Sequence, residues 1–387
     1  MITSAQAVGV NVFAGFADKG YTGRAPRGQT PGRAAAVGEG GTDMGLKANG
    51  LTEGYRGPTY YELAAPGELD WRPHRPGGYA AYRRDWDLRG KSGLAGDFPL
   101  HLDIDPTNRC NLRCRMCPRT HYLETGQNHW APNGLADLDF GLYERIIASS
   151  AGRGLKSVKL NFLGEPLLHP RLPEMVALAA RAGLWVMINT NAVALTPELS
   201  RELLLAGLSD AFFSFDSPYP GEYEAIRVGA NYRKVLANIA SFMAIKDELG
   251  LKGVQTRASM VLAEGLADPE GIKSDYIRLF RDLKVAEIGF GLPTVMGRDY
   301  SLLPSPEGFV CPDLFRRMFI FNDGLCGPCC GDWERRLMVG DANSEPIADI
   351  WNGEAYRRLR EAHLSGRHRD VPACRDCSVP YLSGVGA

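Results

Sequence analysis

Between residues 100 and 292 short apolar runs alternate with longer amphipathic ones, and this alternation constrains the fold more than any other feature of the chain. The runs LHLDID, SVKLNFLG, LWVMINT, DAFFSFD, VQTRASMVL and AEIGFGL have the length and apolar content of buried strands. Between them GLYERIIASSA, RLPEMVALAARAG, TPELSRELLLAG, YRKVLANIASFMAIKDEL and SDYIRLFRDL carry the spacing of helices with one apolar face. Strand and helix in steady succession predict a parallel sheet, because a right-handed crossover returns each strand beside the last with its helix outside. The series predicts an α/β fold, a TIM-like (βα)6 barrel, closed or partial, with chemistry on the loops that follow the C-terminal ends of strands.

At 387 residues and 44% hydrophobic content the chain can bury a large core. Its 44 basic residues balance 45 acidic ones to a formal charge of −1, so no global field draws it to nucleic acid or to an anionic membrane. The opening MITSAQAVGVNVFAGFADKG has no cationic start and no sustained apolar stretch, and nowhere do about 18 apolar residues run together. A cytoplasmic protein without a membrane span is therefore expected. In a reducing compartment clustered cysteines hold metal more readily than they form disulfides.

Residues 1–97 read as an irregular, partly disordered N-terminal extension: a Gly-, Ala- and Thr-rich leader, then an aromatic segment broken by Pro and Gly with room for one helix. Residues 98–298 hold the barrel, and 299–387 form a smaller, turn-rich domain. The triplet GKS at 90–92 is not a phosphate loop, because Asp85 stands where that loop requires glycine.

All nine cysteines fall into two groups, with none between Cys117 and Cys311. Cys110, Cys114 and Cys117 follow the first strand in DPTNRCNLRCRMCPRT, on a loop that Pro118 helps to end. Three thiolates on a tight loop can cap three corners of an iron-sulfur cube and leave the fourth iron open, whereas a closed structural site takes four. A zinc knuckle completed by His121 is the other reading of the same residues.

The segment CNLRCRMC after the first strand of such a series resembles the radical S-adenosylmethionine enzymes, and the resemblance spans roughly residues 100–377. It implies that Cys110, Cys114 and Cys117 hold a [4Fe-4S] cluster whose open iron is chelated by the amino and carboxylate groups of S-adenosylmethionine. FLGEPLLHP resembles the family's Gly-Gly-Glu turn, with Leu163 in place of the first Gly, and implies that Gly164 and Glu165 receive the cofactor's amino group. INTNA and FSFDS resemble the segments that contact ribose and methionine, which points to Asn191, Ser214 and Asp216, while Arg257 on the fifth strand could pair with the cofactor carboxylate. Met116 stands where the family usually places an aromatic residue against adenine, a place a thioether can fill.

The second cysteine group resembles SPASM and twitch extensions: Cys311 and Cys329 around Gly324, then Cys374 and Cys377, imply the four ligands of one auxiliary [4Fe-4S] cluster. No cysteine follows Cys377, which favours the single-cluster twitch form, and zinc in the four-thiolate site stays open. Cys326 and Cys330 remain over, and because adjacent Cys329 and Cys330 cannot easily both bind one cluster, either of these two could be the ligand.

The family chemistry starts with an electron from a flavodoxin or ferredoxin, cleavage of S-adenosylmethionine, and hydrogen abstraction from a substrate C–H bond. If a base then takes the proton of a hydroxyl on the radical carbon and the auxiliary cluster accepts an electron, the result is dehydrogenation. If Cys326 or Cys330 returns hydrogen to the opposite face, the result is epimerisation. Residues 1–97 show no winged-helix run of the kind that binds a leader peptide, so a small polar, sugar-like substrate is expected before a peptide. A non-catalytic iron-sulfur electron carrier and a zinc-stabilised binding module are the readings of another class; the carrier has no need of Glu165 and Asp216.

Overall fold

In a computed structural model of the chain, the described residues are 52–57, 60–64, 69–262, 268–291, 308–329, 331–375, 377 and 379–382. Residues 1–51, most of the leader read into the first 55 or so residues, and the thiol of Cys330 lie outside them.

The six expected strands are present as β3 (His101–Ile104), β5 (Ser157–Leu160), β6 (Trp185–Thr190), β7 (Asp210–Ser214), β9 (Gln255–Val261) and β10 (Glu287–Gly291). They lie side by side in chain order, and every neighbouring pair is parallel. The crossovers are α3 (Phe140–Ser150), α4 (Leu172–Arg181), α5 (Pro197–Leu205), the short α6 (Pro220–Ile226) with α7 (Tyr232–Glu248), and α8 (Pro269–Asp282). Side chains fix their starts: Asp139, Thr196, Asn231 and Asp268 each accept a hydrogen bond from a backbone N–H in the first turn. Pro269 behind the Asp268 cap starts α8 five residues earlier than the apolar pattern suggested. In α4 the buried positions Leu172, Met175, Val176 and Ala179 repeat at helical spacing and meet Val158, Leu160, Val186 and Ile188 of the sheet in one core.

The other faces of the strands are not packed in the same way. Lys159, Met187, Asn189, Arg257 and Ser259 alternate with the core positions and are only half-buried. A closed barrel fills its interior with layers of apolar side chains. Here the sheet is a partial barrel whose inner face is polar and open enough to receive a ligand.

Both edges of this sheet are extended. Before the barrel, β1 (Thr52–Gly57) and β2 (Tyr60–Ala64) form an antiparallel hairpin, and β2 pairs antiparallel with β10. The segment read as irregular thus contributes two strands as well as its one helix, α1 (Tyr79–Ser92). Pro and Gly punctuate the segment but leave these short stretches free to pair with an edge that the barrel alone would leave bare. Tyr79, Tyr82 and Trp86 of α1 pack edge-on or stacked against one another and Trp185 across the N-terminal ends of the strands, while Arg75 pairs with Asp210 there. A groove of 1550 Å³ lies at this same end, between α1 and the turns around Gly183, Gly207 and Gly253, and contains none of the expected site residues.

At the other edge β11 (Arg317–Ile320) runs parallel to β3, followed by antiparallel β12 (Leu325–Gly327) and β13 (Gly340–Asp341). The cysteine-rich C-terminal region therefore continues the barrel's own sheet. Its turn at Asn322–Gly324 stands at the end of the sheet where β3 releases the first cysteine loop, because β11 and β3 point the same way. Helices α9 (Ile347–Asn352) and α10 (Glu354–Leu364) cover this extension with Trp351 and Tyr356 in the shared core. Among the described residues no helix is long and apolar enough to cross a membrane.

Candidate functional site

The loop after β3 is held open by its own hydrogen bonds. Asn108 donates to the Gly134 carbonyl at 2.9 Å and accepts from the Ala136 N–H at 2.8 Å, and Arg119 donates to the Asn108 carbonyl at 3.0 Å. Beyond Cys110, Arg113–Cys114 forms β4, which pairs antiparallel with β8 (Arg227–Val228), so Cys114 lies opposite Arg227. Cys117 then occupies the N-cap of α2 (Pro118–Thr125). All three thiols are half-buried and none is in a disulfide.

Two of the sulfurs already face N–H donors. Asn191 Nδ2 stands 3.9 Å from Cys110 Sγ, and Arg227 Nη1 stands 3.9 Å from Cys114 Sγ. Burial pushes the Cys110 thiol up, and pushes Cys114 up to about 11 in spite of Arg227. Without metal these two thiols stay protonated near neutrality, and a bound metal is what would draw off the protons. Among the described residues no three His, Cys, Asp or Glu side chains close on a single-ion position. Three soft sulfur donors on one loop, with N–H donors behind them, fit an iron-sulfur cube held at three corners.

Gly164 and Glu165 cross directly over this loop. A Cβ on Gly164 would overlap the Thr107 carbonyl oxygen, so only glycine lets the two backbones meet, and Glu165 N–H donates to the Arg109 carbonyl at 2.7 Å. The Glu165 carboxyl accepts from Thr190 Oγ1 at 2.6 Å and from the N–H groups of Leu167 at 3.2 Å and Asn191 at 2.8 Å. Burial raises it to about 7 against these bonds. Glu165 thus clamps the loops after β5 and β6 together, and through Asn191, which also donates to Asn111 Oδ1 at 2.8 Å, it reaches the cysteine loop.

Asp216 is likewise occupied. It accepts from the Val261 N–H at 2.9 Å and pairs with Arg227 at 2.6 Å, with both side chains nearly inaccessible. Burial alone would lower the Arg227 guanidinium, but Asp216 and then Cys114 raise it above its ordinary value. Ser214 ends β7 opposite Ser259, half-buried on the inner face. Arg257 is on the same face but four residues before the end of β9, with its guanidinium 3.7 Å over the Phe212 ring and Nε donating to Ser259 at 3.2 Å. The guanidinium beside the cysteine loop is therefore Arg227 rather than Arg257. Only a two-residue ladder positions Arg227, too short to leave a period in the sequence.

Asp105, also missed from sequence, is one residue past β3 and alternates with Asp103 onto the inner face. It is 1% exposed, and burial raises it to about 7, opposed by Arg335 and reinforced by Asp323. Its Oδ1 has no hydrogen-bond partner among the described residues, nor has Nη1 of Arg335. Arg335 holds both Asp323 oxygens, at 2.7 and 2.8 Å, from a left-handed backbone position with φ 58°.

In the C-terminal region Cys311, Cys374 and Cys377 lie close enough for their charges to oppose one another. Burial raises Cys311 far above the usual thiol value and Cys374 to about 12. Cys329 lies two residues beyond β12. Cys326 contradicts its expected part as hydrogen donor. It pairs opposite Ile320 on β12, is fully buried in the apolar core with Ile350, Trp351 and Tyr356, and is pushed up to about 12 by burial. Strand alternation turns it away from the inner face.

Comparison with known proteins agrees with this geometry. The model of the radical SAM superfamily matches residues 104–248, and that of the SPASM iron-sulfur cluster-binding domain matches residues 311–378. A tungsten-containing aldehyde ferredoxin oxidoreductase cofactor-modifying protein of Pyrococcus furiosus is 31% identical over 153 residues, 39% of this chain and 40% of that protein. A GTP 3′,8-cyclase of Syntrophomonas wolfei is 30% identical over 183 residues, 47% of this chain and 51% of the other. The chain thus spans about half the length, or less, of these curated relatives. The crystal structure of Streptococcus suis SuiB shares the fold with a TM-score of 0.53 at 14% identity, covering 76% of this chain and 75% of that one. The chain belongs to the radical SAM superfamily, with a C-terminal SPASM domain, and its cofactors are S-adenosylmethionine, a [4Fe-4S] cluster and auxiliary iron-sulfur.

Proposed function

We propose that this radical SAM enzyme dehydrogenates a hydroxyl-bearing carbon of a small polar, sugar-like substrate bound against the inner face of the sheet. Cys110, Cys114 and Cys117 would hold the first cluster; Cys311, Cys329, Cys374 and Cys377 would hold an auxiliary one. When bound, these groups would supply a radical that takes one hydrogen atom from carbon and an acceptor for the electron left behind. The protein's own residues keep the loops in register, exclude water and remove the hydroxyl proton.

The observation that carries this reading is Asp105. A base for a hydroxyl proton needs a carboxyl poised near neutrality and a vacant lone pair. Asp105 has both, just past the strand that releases the cluster loop and beside the turn that begins at Asn322 in the SPASM region. The half-buried Lys159, Asn189 and Ser214 supply further polar groups for a hydroxylated ligand. The burial of Cys326 weighs against epimerisation through that thiol.

The test uses the reduced protein with S-adenosylmethionine and a panel of sugars, aminocyclitols and nucleotide sugars, deuterated at carbon. The expected outcome is deuterated 5′-deoxyadenosine with a product lighter by two hydrogens. A product that keeps its hydrogen count but has exchanged the carbon deuterium for solvent hydrogen would instead establish epimerisation.

A further inference from the structure

His363, near the C-terminal end of α10, lies between two of the cysteines assigned to the auxiliary cluster. It is 2% exposed. The Cys311 backbone N–H donates to its Nδ1 at 3.2 Å, and its Nε2 stands 3.5 Å from Cys374 Sγ. A backbone N–H can only donate, so Nδ1 must carry a lone pair. The ring is therefore the neutral tautomer with its hydrogen on Nε2, directed at the sulfur. The imidazole is held in place by Phe309 and by His368, whose centroids lie 6.3 and 5.5 Å away.

We propose that His363 is a positioning residue that sets the reduction potential of the auxiliary cluster through an Nε2–H···Sγ hydrogen bond to Cys374. This rests on the reading that Cys311 and Cys374 are ligands of that cluster. A reduced cluster carries one more negative charge on its sulfurs than an oxidised one, so a donor to a ligating sulfur stabilises the reduced form and raises the potential. A higher potential makes the cluster a better acceptor for an electron from substrate. The first cluster's sulfurs have corresponding donors in Asn191 and Arg227, which the family resemblance did not assign to sulfur.

The two ring nitrogens can be separated by substitution. Gln reaches as far as Nε2 and keeps a donor there; Asn keeps an acceptor at the Nδ1 position and ends short of Cys374. Both changes are made in full-length protein in which Cys110, Cys114 and Cys117 are Ala, so that only the auxiliary cluster remains, and its midpoint is read by EPR-monitored redox titration. The expected result is a wild-type midpoint for His363→Gln. For His363→Asn, the oxidised-to-reduced ratio at that midpoint should rise about tenfold, about 59 mV for one electron. Unchanged midpoints in both variants, or equal shifts in both, overturn the proposal. If neither variant loads a cluster, the same background with ¹⁵N-labelled histidine decides. Weak nitrogen coupling to the reduced cluster supports the hydrogen bond, while no coupling, or coupling of a directly ligated imidazole, overturns it. Absence of iron from the background protein itself sinks the auxiliary-cluster reading, and this inference with it.

Discussion

The two cysteine groups are built by opposite means. The barrel group comes from a single loop of eight residues, half-buried, with neighbouring strands sending Glu165, Asn191 and Arg227 to brace it from behind. The C-terminal group, its thiols likewise half-buried, is drawn from segments more than sixty residues apart, with His363 between two of its members. A loop braced on one side leaves the other side open to a cofactor. A site closed by distant segments shields its cluster and suits electron transfer more than ligand exchange.

The strongest way to break this comparison is to remove one cysteine from each group. Cys114→Ala should abolish S-adenosylmethionine cleavage and lose about four of about eight irons. Cys374→Ala should lose a similar amount of iron yet still cleave the cofactor. If Cys374→Ala also stops cleavage while retaining the first cluster, the two groups do not divide the work in this way.

Asp105→Asn sharpens the chemical side of the contrast. General-base loss should cost about a hundredfold or more in product formation while cofactor cleavage persists. Asp105 and Glu165 both sit near 7, above their ordinary 3.8 and 4.5. The deprotonated base accumulates as pH rises, so wild-type turnover should climb through about pH 7, and Asp105→Asn should flatten that rise. Stability moves the other way. A carboxyl whose folded value is raised contributes fully below its unfolded value and loses that contribution as pH rises through about 7, which chemical denaturation at several pH values would measure.

Arg227→Met tests the bracing. It leaves Asp216 buried without its cation and should cost about 3–5 kcal/mol in denaturation of the metal-free protein. Asp216→Asn together with Arg227→Met should recover part of that loss, and simple additivity of the two changes would argue against coupling. The smallest effect is expected from Cys326→Ala, roughly 1–2 kcal/mol from a small core cavity with cofactor cleavage unchanged. A loss of turnover without loss of stability would restore it to the chemistry.

The same contrast explains what could be read before the fold was known. Strand and helix periods, and a motif confined to Cys110–Cys117, are local, and the barrel, its order and that loop followed from them. The hairpin β1–β2 and the parallel seam between β11 and β3 depend on pairing across the sheet, which leaves no local period. Asp105, Arg227 and His363 were missed for the same reason, since each has its meaning only beside residues distant in sequence. Arg257 carries the expected charge on a strand, but strand residues differ in height as well as in face, and its guanidinium lies over Phe212 four residues before the end of β9. Cys326 was chosen as a spare thiol, and its position opposite Ile320 turns it into the core.

The account rests most directly on one measurement: iron, sulfide and zinc content of the anaerobically reconstituted protein, with the EPR spectrum of its reduced form recorded before and after S-adenosylmethionine. About eight irons and eight sulfides, with one of two signals changed by the cofactor, is the predicted result. Zinc in place of iron, or two signals both indifferent to the cofactor, would contradict it.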